Sequence, residues 1–145
     1  MASEGLTSAL RDWEQLLGAE FVQVGSSALR AAETATFATS QRIPAILRPA
    51  SREQVQECLR VANRFGTPLY PVSSGKNWGY GSRVPPIDGC AILDLSRLDR
   101  IVDFSEELGY VTVEPGVTQA RLHQFLQERQ SGLWMDATGS SPDCS

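Results

Sequence analysis

The chain has 145 residues, of which 41% are hydrophobic and 21% are charged, close to the average of globular proteins, so a disordered or fibrous class is excluded. Its 13 Lys and Arg against 17 Asp and Glu give a net charge of −4 without any basic run, so we expect neither nucleic acid nor an anionic membrane as a partner. No apolar stretch reaches the length of a membrane span, and the first residues lack the pattern of a signal peptide. We therefore expect a cytoplasmic protein.

The three cysteines, Cys58, Cys90 and Cys144, are odd in number and far apart, and His123 is the single histidine. This set does not provide the ligands of a zinc or iron–sulfur site. We expect no metal and three reduced thiols, with Cys58 on the core side of a helix. His123, within a helix and among polar neighbours, is expected at the solvated surface.

The most informative stretch is PVSSGKNWGYG, at positions 71–81. Its three glycines can adopt positive φ, and its serines and asparagine favour turns, so successive backbone N–H groups can converge on one anion. Lys76, the only lysine of the chain, adds a positive charge. The spacing matches neither G-x-x-x-x-G-K-[ST] nor G-x-G-x-x-G. The residues alone leave two interpretations open, a phosphate-binding loop and a tight glycine-rich surface turn.

The first segment shows helical periodicity. Apolar residues at spacings of four, three and four between Leu6 and Leu17 predict an amphipathic helix that Gly18 ends. A short strand is predicted at 21–24. The following residues, 25–41, contain much Ser, Ala and Thr without a clear period, and we expect irregular chain there.

The next segment predicts a strand, a helix and a second strand. The short apolar run at 43–49 is bounded by prolines, Ser51 and Gln54 form a capping-box pattern, and Gly66 ends the helix. The predicted apolar stripe of this helix is Val55, Cys58, Leu59, Ala62 and Phe65. The second strand, at 68–72, leads into the glycine loop. In such a βαβ unit the strands are parallel, and open α/β sheets bind ligands at the carboxyl ends of their strands.

A third, buried strand is predicted at 90–95 and an antiparallel hairpin over 102–114. Thr118 is a candidate cap for a helix that runs to about Gln130. The segment 133–145 begins as a strand and becomes a polar loop that stops abruptly, which suggests a truncated domain. We therefore expect an α/β (α+β) fold, with a small parallel sheet, flanking helices, and the start of a second, mainly antiparallel subdomain.

Four stretches together resemble the FAD-binding domain of the vanillyl-alcohol oxidase and para-cresol methylhydroxylase flavoprotein family. They are IPAILRPAS at 43–51, PLYPVSSGKNWGYG at 68–81, VEPGVT at 113–118 and GSSPD at 139–143. They occur in the order and at the approximate spacing of that family. The resemblance divides the chain into an amino-terminal helix and extension, 1–42, and the amino-terminal part of an FAD-binding domain, 43–145.

The resemblance implies an extended FAD whose pyrophosphate is held by backbone N–H groups of the first loop. The implied cofactor-binding residues are Ser73, Ser74, Gly75, Lys76, Asn77, Gly79, Tyr80 and Gly81 in the first loop, Pro115 and Gly116 near the flavin, and Thr138, Gly139, Ser140, Ser141 and Asp143 in the last loop. Related enzymes with a doubly attached flavin carry a histidine and a cysteine where this chain has Asn77 and Cys144. Asn77 excludes the histidyl link.

The chemistry that the resemblance implies is oxidation of a phenolic or alcohol substrate by hydride transfer to flavin. The catalytic residues of that family lie in segments beyond this chain, so we predict none here. Two alternatives stay open: a non-catalytic flavin or nucleotide-binding module that needs a partner chain, and a nucleotide-binding α/β module unrelated to flavin. The expected partners are FAD and, in the full-length protein, a small-molecule substrate, with a homo-oligomer or a complementing chain left open.

Overall fold

The computed structural model describes residues 4–76, 83–135 and 142–144. The helices are α1 (Glu4–Leu17), α2 (Ser26–Ala32), α3 (Arg52–Phe65) and α4 (Gln119–Glu128). The strands are β1 (Val22–Gln23), β2 (Ile46–Leu47), β3 (Leu69–Val72), β4 (Ala91–Asp94), β5 (Ile101–Ser105) and β6 (Tyr110–Val113). Within these described parts, no helix has the length and apolar character needed to cross a bilayer. The mixed α/β prediction is confirmed.

The main sheet has four strands in the order β1-β2-β4-β3. Strands β2 and β3 both pair with β4 in parallel, and β1 closes one edge antiparallel to β2. The predicted parallel βαβ unit is thus present, but β4 inserts between its two strands. Pro71 lies in β3, which is an edge strand. A proline is tolerated in an edge strand because its missing N–H can face the side that has no neighbouring strand.

Helices cover both faces of this sheet. On one face α1 and α3 pack together, and the indole Nε1 of Trp13 donates a hydrogen bond to the Cys58 carbonyl at 3.1 Å. Their shared core with the strands comprises Ala9, Trp13, Leu17, Val22, Ala45, Leu47, Cys58, Val61, Ala62, Ala91 and Leu93. On the other face, Ala32 of α2 packs with Ile43, Ile46 and Ile92.

The expectation of irregular chain over 25–41 is wrong at α2. This helix is seven residues long and begins after Gly25 without a side-chain cap, so it carries no periodic signal. It forms because Ala32 and Leu29 bury the second face of the sheet, and tertiary packing outweighs weak local preference.

Helix α3 begins with the predicted capping box. The Gln54 N–H donates to Ser51 Oγ at 3.2 Å, and Gln54 Oε1 accepts from the Ala50 N–H at 2.7 Å. Its predicted stripe needs one correction, because Leu59 is 44% exposed whereas Val61 is buried. Helix α3 therefore presents a slightly rotated face to α1 and to the main sheet.

The second, two-stranded sheet is the predicted antiparallel hairpin of β5 and β6. Helix α4 packs on it through a third cluster, with Val117, Leu122 and Leu126 buried. The Thr118 hydroxyl accepts from the Arg121 N–H at 3.2 Å, so the predicted cap is confirmed. A strand beginning at residue 133 is wrong over 133–135, where the Leu133 N–H bonds to a nearby serine hydroxyl and not to a neighbouring strand.

Gly116 packs tightly against the backbone of the turn that follows β4. A Cβ at this position would lie 2.6 Å from the Ser96 carbonyl oxygen and 2.7 Å from that of Leu98. Because backbone atoms cannot move aside cheaply, Gly116→Ala is expected to lower the free energy of unfolding by about 1–3 kcal/mol in urea titrations. The control is Gly132→Ala, where, apart from its chain neighbours, no atom of the described residues lies within 4 Å of the added Cβ. Equal effects of both substitutions would contradict the packing argument.

The buried Cys58 thiol is expected to make the free energy of unfolding fall as the pH rises into the alkaline range. Burial, with a smaller contribution from the Glu57 charge, raises the pKa of Cys58 to about 12. In the unfolded chain a thiol titrates at about pH 8.5, so above that pH unfolding releases a proton from Cys58. This one thiol then lowers the free energy of unfolding by at most ~1.4 kcal/mol per pH unit.

We therefore expect the loss of unfolding free energy between about pH 8 and about pH 10 to be smaller in Cys58→Ala than in the unsubstituted protein, although the variant is less stable at both. Urea unfolding at the two pH values measures this. Identical losses in the two proteins would show that Cys58 does not titrate on unfolding.

Candidate functional site

The glycine loop leaves the sheet at the carboxyl end of β3. The Leu95 N–H donates to the Val72 carbonyl at 2.8 Å, which joins the ends of β3 and β4. Gly75 has a φ of +69°, and the Lys76 N–H reaches the Ser74 hydroxyl at 3.4 Å. The first loop thus makes a turn that favours glycine, at the sheet edge where parallel α/β proteins bind ligands.

The neighbouring parallel strands bring charged residues to the same edge. Arg48 follows β2, and its Nε lies 3.2 Å from Asp94 Oδ2 at the end of β4. Asp94 is buried, and its other oxygen accepts from the Ser96 N–H at 3.0 Å. The Arg97 guanidinium donates to the Arg48 carbonyl at 2.8 Å and stacks on the Phe21 ring. These contacts fix the turn that follows β4.

Pro115 and Gly116 reach this region through that turn. The Gly116 N–H donates to the Leu98 carbonyl at 2.7 Å, and Gly116 is buried while Pro115 is exposed. Beside them, Arg100 donates two guanidinium bonds to the Glu114 carboxylate. These bonds lower the pKa of Glu114. Close backbone packing accounts for a glycine at 116, and the predicted flavin contact of both residues stays a prediction.

The last loop is attached to the start of α4. The Gln119 and Ala120 N–H groups donate to the carbonyls of Cys144 and Pro142, at 2.8 and 2.9 Å. The Cys144 side chain is buried, 8% exposed, whereas Asp143 is exposed. The exposed Asp143 carboxylate therefore lies beside the first turn of α4.

An ion pair joins the first and last loops. Lys76 Nζ lies 2.7 Å from Asp143 Oδ2, although the two residues are 67 positions apart. The structure therefore brings together two sets of predicted binding residues, of which Ser73, Ser74, Gly75, Lys76 and Asp143 are described. The other predicted residues of these loops, Asn77, Gly79, Tyr80, Gly81, Thr138, Gly139, Ser140 and Ser141, lie outside the described residues.

Arg83 is a charged neighbour of the first loop that sequence reasoning missed. A Cβ at Gly75 would lie 2.7 Å from Arg83 Nε, so the arginine side chain covers this glycine. Its Nε is buried and has no hydrogen-bond partner among the described residues. The available signal was a second basic residue eight positions after Gly75, but it lies outside the recognisable motif.

These residues fit a phosphate group. They combine a glycine turn at the carboxyl edge of parallel strands, two serine hydroxyls, a lysine, and an arginine with an unsatisfied buried donor. Such donors are suited to a pyrophosphate, which carries about two negative charges. In the part of the chain that the structure describes, no cluster of three His, Cys, Asp or Glu side chains could hold a metal ion.

Comparison with known proteins gives a consistent family. The family model of the FAD binding domain matches residues 43–145. The chain is 53% identical over its whole length to 1'-carboxy-chondrochloren decarboxylase of Chondromyces crocatus, covering 27% of that protein. It is 34% identical over 92% of its length to the flavoprotein subunit of 4-cresol dehydrogenase [hydroxylating] of Pseudomonas putida, covering 26% of it.

Solved structures agree with these relatives. p-Cresol methylhydroxylase with substrate bound superposes with a TM-score of 0.91 at 27% identity, over 99% of this chain and 29% of that one. 4-Ethylphenol oxidase from Gulosibacter chungangensis superposes with a TM-score of 0.84 at 30% identity, over 94% of this chain and 27% of that one.

The chain spans about a quarter of the length of the curated relatives it matches. The family match covers more than half of the chain and agrees with the fold and the glycine loop. The chain therefore belongs to the FAD binding domain family and corresponds to the amino-terminal part of the vanillyl-alcohol oxidase and p-cresol methylhydroxylase flavoproteins, with FAD as its cofactor.

Proposed function

We propose that the chain binds FAD as part of a flavin-dependent oxidoreductase that oxidises a phenolic or alcohol substrate by hydride transfer to the flavin. The observation that carries the proposal is the Lys76–Asp143 ion pair, in which the two loops of predicted binding residues meet at the carboxyl edge of the sheet. The relatives named for 4-cresol, p-cresol and 4-ethylphenol support a phenolic substrate.

In this proposal the residues of the chain bind and orient the cofactor. The first loop donates backbone N–H groups and the charge of Lys76 to the pyrophosphate, and Gly75 permits its turn without a clashing side chain. Pro115 and Gly116, of which Gly116 is held by the turn after β4, would contact the flavin. Bound FAD supplies the hydride acceptor. Substrate activation is assigned to no residue of this chain.

A second candidate reaction is a decarboxylation coupled to substrate oxidation. It is favoured by the 53% identity, over the whole chain, to a protein named as a decarboxylase. In such a reaction the substrate loses a hydride to the flavin, and CO₂ leaves from the adjacent carbon. The electron pair of the broken C–C bond then forms the new double bond.

The test of reaction type uses the full-length flavoprotein that carries this sequence, loaded with FAD. In the absence of oxygen it is mixed either with 4-alkylphenols or with 4-alkylphenols that carry a carboxyl group on the side chain. We expect the absorbance of oxidised flavin to disappear with a 4-alkylphenol. Disappearance only with the carboxylated analogues, with one CO₂ released per flavin reduced, would favour the second reaction. If dithionite reduces the flavin but neither class of substrate does, both proposed reactions are contradicted.

Cofactor binding by the first loop gives a separate prediction. Gly75→Asp introduces a negative charge at the phosphate site and is expected to raise the Kd for FAD about tenfold or more, measured by flavin fluorescence titration. The control for backbone strain is Gly89→Asp, which has a similar positive φ, +74° against +69°, and no described neighbour within 4 Å of the added Cβ. The control for the close approach to Arg83 is Gly75→Ala, which adds the same Cβ without the charge. If Gly75→Asp and Gly89→Asp weaken FAD binding equally, the effect comes from backbone strain and not from the phosphate site.

A further inference from the structure

We infer that Arg83 is a second cation of the cofactor site and binds the pyrophosphate of FAD together with Lys76. The inference rests on the proposed FAD-binding function and adds a residue that lies outside the recognised loop motif. Three independent features of the described residues support it: the position of the side chain, its unsatisfied donor and the charge balance of the two loops.

The position of the side chain is the first feature. A Cβ at Gly75 would lie 2.7, 2.8 and 3.0 Å from Nε, Cδ and Cγ of Arg83. The arginine stem therefore lies across Gly75, the one residue with positive φ in the described part of the loop. Gly75 serves two purposes, since it turns the loop and leaves space for the arginine. The guanidinium is thereby kept close to the backbone of Gly75.

The unsatisfied donor is the second feature. Arg83 Nε is buried without a hydrogen-bond partner among the described residues. Native structures rarely leave such a donor unpaired, because removing it from water costs free energy that no new bond restores. An anion bound at the loop would supply the missing acceptor. The guanidinium is also well suited to this task, since its planar fork matches phosphate oxygens.

Charge balance is the third feature. Lys76 already has a carboxylate partner, Asp143, at 2.7 Å, so this pair contributes no net charge. A further cation nearby would therefore stabilise a pyrophosphate, which carries about two negative charges. Arg83 is the described residue that provides it next to Gly75. The competing explanation is that Arg83 only packs over the glycine, and it predicts no dependence of phosphate binding on the guanidinium charge.

The experiment compares Arg83→Met, which keeps the apolar stem but removes the charge and the donors, with Arg83→Lys, which keeps the charge but loses the fork. Arg11→Met on α1, also the loss of one positive charge, is the control; Arg11 is exposed and outside the site. Titrations of the full-length flavoprotein that carries this sequence, freed of its FAD, with FAD, ADP and riboflavin give Kd values, and thermal unfolding without ligand reports stability.

We expect Arg83→Met to raise the Kd for FAD and for ADP about tenfold or more, while binding of riboflavin, which lacks the pyrophosphate, does not change. Arg83→Lys should fall between this variant and the unsubstituted protein, and Arg11→Met should change neither Kd. The thermal midpoint of Arg83→Met without ligand should stay the same or rise, because an unpaired buried donor is removed.

Other outcomes overturn the inference in distinguishable ways. Unchanged Kd values for FAD and ADP in Arg83→Met would leave the FAD-binding function standing and remove Arg83 from the site. Equal weakening of all three ligands with a lowered thermal midpoint would make Arg83 a packing residue. Failure of the unsubstituted full-length protein to bind either FAD or ADP would contradict the proposed function and this inference with it.

Discussion

The burial of β4 between two parallel strands is the constraint on which the rest of the structure depends. All four of its residues are buried, and its register joins Ile46 to Ile92 on one side and Val72 to Asp94 on the other. Because the three strands run in the same direction, their carboxyl ends meet at one edge. A slip of one residue would exchange the two faces of β4 and also displace Asp94 from Arg48.

The charged contacts at that edge differ in what they contribute. Asp94 is buried and bonds both to Arg48 and to the backbone of the following turn, so it holds local geometry. Lys76 and Asp143 are both more than half exposed, and such pairs add little stability. Their importance is geometric, since they align two loops that the sequence separates widely. The candidate cofactor site is therefore positioned by the sheet, and the ion pair adjusts how its two loops meet.

Much of this arrangement could be predicted from local patterns. The periodicity of α1, the capping box at Ser51 and the alternating hairpin each depend on neighbouring residues, and each is present. The glycine loop was recognisable for the same reason, since its turn is encoded by Gly75 itself. What could not be predicted depends on contacts distant in sequence. The insertion of β4 between β2 and β3 is one such case, and a sequence pattern does not specify which strand lies in the centre.

The other misses have the same physical origin. Helix α2 carries no apolar stripe and is stabilised by the sheet face that it covers. Leu59 is exposed because the rotation of α3 is set by α1 and the sheet, which a stripe counted on one helix does not reveal. Arg83 belongs to no motif, and only its approach to Gly75 in space identifies it. Local signals thus specify the elements, whereas the long-range packing specifies which residues meet.

The central position of β4 also has a consequence for how the chain acquires its structure during synthesis. Strands β2 and β3 emerge first, yet they pair with β4 and not with each other. Arg48 and Asp94, which mark the ends of β2 and β4, are 46 positions apart, so pairing of these two strands must close a long loop whose entropic cost is met before their ladder forms. A nascent chain that stops before residue 91 would hold β2 with only the short β1 as a partner, and β3 with none. The interval between the synthesis of β3 and of β4 is therefore the period in which this chain is most exposed to aggregation.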